Sequence, residues 1–173
     1  MISDAVTRSN NNPNDPRNRT VIHPVDDIYS ANLETPINSS GLTKAFLNNL
    51  PAYRQGISVF RRGLEVGMAH GYWILGPFTV LGPLRDTSIA NLAGLLSTIG
   101  LLIISTLIIS LYGGSNPPAP TLTLTTPRPP EEFKTSEGWN EYGGGFLIGG
   151  VGGAIAAYFL LSNFSVIKEL INR

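Results

Sequence analysis

The chain has 173 residues, with 12 basic and 12 acidic side chains that cancel and no cysteine. Only 14% of the residues are charged against 42% hydrophobic, and the charges lie outside long apolar runs, which marks an integral membrane protein rather than a soluble domain. A neutral chain without a basic run has no electrostatic footprint for nucleic acid, and without cysteine it has no disulfides, zinc-thiolate sites or iron-sulfur ligation of its own.

Residues 1–40 are polar and broken by Pro13, Pro16, Pro24 and Pro36, so they are expected as an extended segment with no core, lying on a partner's surface. The amino terminus lacks a basic run followed by an apolar one, so it is expected to be neither a secretory signal nor a transit peptide and to stay in the mature protein. Asn38-Ser39-Ser40-Gly41 offers helix N-caps, and Leu42, Phe46, Leu47 and Leu50 follow at helical spacing until Pro51. That pattern predicts a short amphipathic helix at the membrane interface or an exposed amphipathic turn.

The first span is expected at about 63–84, kinked or broken by Pro77 and Pro83. It carries Glu65 and His70 in an apolar setting. An ionisable side chain at membrane depth costs at least a few kcal/mol unless it is paired, solvated or bound to a cation. Five residues separate the two, and five steps of about 100° leave them about 140° apart around a helix, so they cannot share one metal. Gly63, Gly67 and Gly71 recur every four residues and clear a stripe for a flat group or a neighbouring backbone. Magnesium in a macrocycle with four nitrogens needs one axial ligand, carboxylate or imidazole, so two such macrocycles fit, and chlorophyll answers that description. Two plainer readings stay open: Glu65 as an ion pair with Arg62 at a helix start, and His70 as a hydrogen-bonded packing residue.

The second span is expected at about 88–112, where Ile89–Tyr112 is uncharged and, as a helix, about 36 Å long. The third is expected at about 143–167, with small residues Gly145, Gly149, Gly153 and Ala157 every fourth position and Gly150 and Ala154 alongside. That stripe suits packing within the chain, a tight contact inside a larger complex, or a tetrapyrrole face. Between these spans the loop 113–141 is rich in Pro, Thr and Gly, with Asn116-Pro117-Pro118-Ala119-Pro120 extended and stiff, and it reads either as a flexible linker or as a docking element. Domain organisation is thus a segment 1–40 and a three-helix transmembrane domain 41–173, an all-α integral membrane protein. Nine basic residues fall on the amino-terminal side and three on the other, which predicts a stromal or cytoplasmic amino terminus, a loop 113–141 on that same side, and a carboxyl terminus opposite.

Several stretches together resemble one family closely, the L subunits of photosystem I (reaction-centre subunit XI), of cyanobacterial type. They are Asn49-Leu50-Pro51-Ala52-Tyr53-Arg54, Arg62-Gly63-Leu64-Glu65-Val66-Gly67-Met68-Ala69-His70-Gly71-Tyr72, Gly76-Pro77-Phe78, Leu81-Gly82-Pro83-Leu84-Arg85-Asp86, Ala90-Asn91-Leu92-Ala93-Gly94-Leu95 and Lys134-Thr135-Ser136-Glu137-Gly138-Trp139. The resemblance implies three transmembrane helices in the thylakoid membrane with a lumenal carboxyl terminus, bound chlorophyll a, β-carotene and lipids, and contacts with the photosystem I core, its small membrane subunits and L subunits of neighbouring photosystem I units. It implies that Glu65 and His70 are axial chlorophyll ligands, and that the Pro83 carbonyl and Asp86 match a calcium site of trimeric forms.

Trimer-forming members carry a longer carboxyl tail than Lys168-Glu169-Leu170-Ile171-Asn172-Arg173 provides, and Asn116-Pro117-Pro118-Ala119-Pro120 resembles a variant of cyanobacterial tetramers, so a tetramer or dimer is implied rather than a trimer. The expected function is a non-catalytic subunit that binds pigment and mediates oligomerisation. A small membrane transporter or proton relay using Glu65 and His70 is the alternative. No nucleophile-base set, metal-ligand cluster or phosphate loop points to an enzyme.

Overall fold

The computed structural model describes residues 22–24 and 33–164. Most of the expected extended segment 1–40, and the carboxyl tail from 165, lie outside the described residues. The chain divides into two compact units, Met1–Gly56 with Ala119–Glu131, and Ile57–Pro118 with Glu132–Arg173.

In the first unit, β1 (His23–Pro24) pairs antiparallel with β2 (Leu33–Glu34), His23 opposite Glu34 and Pro24 opposite Leu33. Helix α1 (Gly41–Asn49) starts where the Asn/Ser cluster predicts, because the Ser40 hydroxyl accepts the Thr43 N–H at 3.1 Å. It stops at Leu50, since a residue before proline is pushed out of helical geometry. None of its residues is buried, and Leu42 and Phe46 are exposed.

The Pro/Thr stretch beyond Pro118 is folded against its own unit. Asn48 donates its side-chain amide to the Thr125 carbonyl at 2.7 Å, and Gln55 donates to the Arg128 carbonyl at 2.8 Å. A turn closes as the Thr126 N–H reaches the Thr123 hydroxyl at 2.9 Å, with Leu124 and Pro130 buried. Residues 119–131 therefore dock within the chain, and a free linker does not describe them.

The second unit holds α2 (Val59–Leu81), α3 (Ala90–Gly114) and α4 (Ser136–Ser162), with a 3-10 turn at Glu131–Lys134 leading into α4. Ser58 caps α2 by accepting the Arg61 N–H at 3.3 Å, and Glu141 of α4 accepts the Phe60 N–H at 3.3 Å, so two of the four orphan donors at this helix start are satisfied. The helix continues through Pro77 and ends at Gly82 and Pro83. A proline has no N–H, so the Trp73 carbonyl loses its usual donor four residues on, yet the turns on either side hold the helix together.

Helix α3 ends at Gly114 with Ser115 as its cap, and just past it Asn116 adopts the left-handed conformation (φ 53°) common there and tolerated by asparagine, while Pro117 and Pro118 prevent resumption. Along α3 the hydroxyls of Thr98, Ser105 and Thr106 donate to carbonyls four residues back, at 2.8 Å each, which satisfies polar groups inside an apolar helix. Helix α4 begins about two turns before the expected span. Its first turns are polar and aromatic rather than aliphatic, but Thr135 caps them by accepting the Gly138 N–H at 3.1 Å.

The three helices pack through small residues. A Cβ on Gly63 would overlap the Tyr142 carbonyl oxygen, one on Gly67 that of Phe146, and one on Gly71 that of Gly150. The contact is reciprocal, for Gly145, Gly149 and Gly153 lie equally close to the carbonyls of Phe60, Leu64 and Met68. Both numberings rise together, so α2 and α4 run parallel with backbone against backbone. Helix α3 runs antiparallel to α4, with Gly113 against Trp139, Leu102 filling the space over Gly150, and Asn91 near Ser162 at 3.4 Å. Gly94 of α3 sits on Thr79 of α2. The fully buried centre is Leu75, Thr98, Leu102 and Ala154. Among the described residues, α3 and α4 are long and apolar enough to cross a membrane.

Candidate functional site

The glycine stripe on α2 was open to a flat group or to a neighbouring backbone, and α4 takes it. The small-residue stripe on α4 is likewise used inside the chain. A group bound at α2 would therefore sit on the remaining surface of that helix, where His70 is exposed.

His70 is exposed, and its Nδ1 lies 2.7 Å from the Val66 carbonyl oxygen. A carbonyl only accepts, so Nδ1 carries the proton and donates, and in the neutral ring Nε2 keeps its lone pair. The ring is also held from α4, with the Phe146 ring 5.5 Å away, centroid to centroid, at 61°. An imidazole whose one N–H is turned into its own helix and whose other nitrogen presents a lone pair is in the state a metal ligand requires. One ring nitrogen is thus engaged with the helix backbone, and the other faces outward from it.

Glu65 lies one turn nearer the start of α2. Arg61 Nε donates to Glu65 Oε1 at 2.9 Å, an i,i+4 pair with the arginine largely exposed and the glutamate side chain about three-quarters buried (24% exposed). Arg61, a full turn away, is thus one ion-pair partner of Glu65, and Arg62, which the sequence offered, is buried at 3% exposure. An exposed i,i+4 pair contributes about 0.3–0.5 kcal/mol, too little to define the role of the carboxylate, which has up to four lone-pair positions. Glu65 and His70 stand on one helix, Glu65 bonded to Arg61 and His70 to the Val66 carbonyl.

Pro83 and Asp86 are in the turn after α2, about 24 Å along the helix axis from Glu65. Asp86 is exposed (85%), with Arg85 Nε 3.5 Å from its Oδ2. The adjoining cavity, about 180 Å³, is lined by Phe78, Pro83, Leu84, Ala90, Ala93 and Ser97 and edged by Arg85. Calcium takes six to eight oxygens, so this turn alone fits it poorly. Among the described residues no group of three His, Cys, Asp or Glu side chains converges.

Sequence reasoning missed the ring cluster around the start of α4. Trp139 donates its Nε1–H to the Phe133 carbonyl at 2.9 Å, and its ring packs 5.0 Å from Tyr112 and 4.6 Å from Phe133. Phe133 meets Tyr142 at 5.3 Å, and Tyr142 stacks 6.5 Å from Phe146. The signal was aromatic residues near a span end, which favour the membrane interface.

The family model described as photosystem I reaction centre subunit XI matches residues 20–166. The chain belongs to this family. It is 59% identical over 170 residues to the photosystem I reaction center subunit XI of Mastigocladus laminosus, covering 98% of each chain. It is 57% identical over 171 residues to that of Trichormus variabilis, covering 98% of this chain and 99% of the relative. The Picosynechococcus protein of the same name is 59% identical over 134 residues, 78% of this chain and 88% of its own. As a subunit XI of cyanobacterial type, the protein is a structural subunit and not an enzyme. Membership implies association with the photosystem I core in the thylakoid membrane, in keeping with the two long apolar helices.

Proposed function

We propose that this subunit crosses the thylakoid membrane three times, holds chlorophyll a at His70 and Glu65 on α2, and joins photosystem I units to one another. The observation that carries the reading is the hydrogen bond from His70 Nδ1 to the Val66 carbonyl, which leaves Nε2 as a lone-pair donor on the exposed side of α2. Glu65 would supply a carboxylate oxygen to a second magnesium, with Arg61 orienting the group. Light absorption and excitation transfer belong to the pigment, and the chain supplies placement.

Support for three crossings comes from packing rather than hydropathy. Helix α2 is 23 residues, about 35 Å at 1.5 Å per residue, and it lies parallel and in backbone contact with α4 from Gly63 to Gly71. A helix so joined to a spanning neighbour shares its depth, and its N-terminal Arg61 and Arg62 then fall at the basic, stromal end. The amino terminus is stromal and the carboxyl terminus lumenal on this reading.

The aliphatic ridge of Leu96, Ile103, Leu107 and Leu111 on α3 is exposed in the chain and suits β-carotene, lipid or a neighbouring subunit. Calcium at the Pro83 carbonyl and Asp86 would need most of its oxygens from water or a second chain. Assembly as a tetramer or dimer rather than a trimer draws on the stiff Asn116–Pro120 stretch, since a small change in interface geometry alters which ring closes.

Pigment stoichiometry of intact photosystem I carrying His70→Leu tests the reading. Loss of one chlorophyll per subunit, with the subunit retained, is expected. An unchanged pigment count would reject it.

A further inference from the structure

We infer that Phe146 on α4 is a positioning residue for His70, setting the plane of the imidazole and through it the orientation of the pigment that His70 holds; the inference rests on the ligand role proposed above. The imidazole of His70 has two restraints of different kinds. Its bond to the Val66 carbonyl, 2.7 Å long, fixes where Nδ1 lies and which nitrogen is protonated, but a single hydrogen bond leaves the ring free to rock about it. The second restraint is the Phe146 ring, 5.5 Å away and inclined at 61°, an edge-to-face contact that resists that rocking.

Phe146 is suited to this because it is itself buried and held by its neighbours. Its side chain is buried, its ring stacks on Tyr142 at 6.5 Å and 23°, and Tyr142 is held in turn by Phe133. Its backbone is fixed as well: the Phe146 N–H group lies where a Cβ on Gly63 would intrude, and its carbonyl lies against Gly67. The two glycines thus set how close α4 approaches, and hence how closely the Phe146 ring approaches His70. An axial ligand is coordinated along its lone pair, so rotating the imidazole tilts the macrocycle and its transition dipoles.

The test uses purified photosystem I with Phe146→Leu, Phe146→Tyr and His70→Leu, each measured for chlorophyll count and for low-temperature linear dichroism. His70→Leu should lose one chlorophyll per subunit. Phe146→Leu should keep the full count and shift or broaden one dichroism band, and Phe146→Tyr, which retains the ring, should restore the wild-type band. If Phe146→Leu has wild-type dichroism while His70→Leu loses its pigment, the positioning role is wrong and the ligand role stands. If His70→Leu loses nothing, the ligand role fails and the positioning role with it. Should Phe146→Leu displace the subunit from the complex, Gly67→Ala, which must push α4 from α2, provides the same readout: an unchanged band with the subunit in place overturns the inference.

Discussion

Gly71 of α2 lies against the Gly150 carbonyl of α4 with no room for a methyl group between them. Where lipid surrounds the helices, association depends on close packing rather than on the hydrophobic effect, so this contact and its repeats at Gly63 and Gly67 govern the α2–α4 pair. Gly71→Ala should cost about 1–3 kcal/mol through overpacking. Gly152→Ala, at a position with open space around it, should be neutral or stabilising by up to about 1 kcal/mol. Thermal release of the subunit from detergent-solubilised complex measures both, and equal behaviour of the two variants would contradict the packing.

Thr79 carries a buried hydroxyl that finds no hydrogen-bond partner among the described residues, pressed against Gly94. Thr79→Val keeps the shape and removes the unsatisfied group, so it should raise stability by about 1 kcal/mol. A lower release temperature for this variant would mean that the hydroxyl is satisfied in the assembled protein.

Trp139→Phe removes the bond from Nε1 to the Phe133 carbonyl and keeps most of the ring packing. The expected loss is about 1 kcal/mol. Limited proteolysis should then cut sooner at Lys134, next to the loosened turn, and an unchanged cutting rate would show that the bond does not hold it.

Much of this architecture is legible from residue order. The cap at Ser40 follows spacing rules, and the uncharged run Ile89–Tyr112 lies almost wholly within α3. The start of α4 was hidden because Trp139, Glu141 and Tyr142 break the apolar pattern while remaining helical. Both glycine stripes were visible, yet their mutual pairing was not, since nothing local says that residues 63–71 meet 142–154. The Arg61–Glu65 pair follows from i,i+4 geometry on one helix face. The tautomer of His70 and its Phe146 neighbour depend on a rotamer and on the parallel α2–α4 contact, and neither leaves a mark in the sequence.

Arg61→Ala should leave the subunit within about 0.5 kcal/mol of its original stability, because the arginine side chain is largely exposed. Pigment should remain, since the carboxylate itself is untouched, whereas Glu65→Ala should lose one chlorophyll. Pigment extraction from the two purified complexes distinguishes them, and equal losses would assign the role to the ion pair instead.

Deleting 117–120 removes the stiff segment that follows the left-handed Asn116. The assembly should weaken or change symmetry while chlorophyll at His70 and Glu65 stays, because those ligands are on α2. Particle classes from solubilised membranes report it, and an unaltered distribution would remove this segment from the account of oligomerisation.

The most direct measurement of the central claim is the distance from His70 Nε2 to the nearest magnesium in a density map of the intact photosystem I complex. The account predicts coordination at about 2 Å by Nε2, with Nδ1 still bonded to the Val66 carbonyl and the Glu65 carboxylate on a different magnesium. A map with no macrocycle at His70, or with His70 and Glu65 on the same ion, would contradict it.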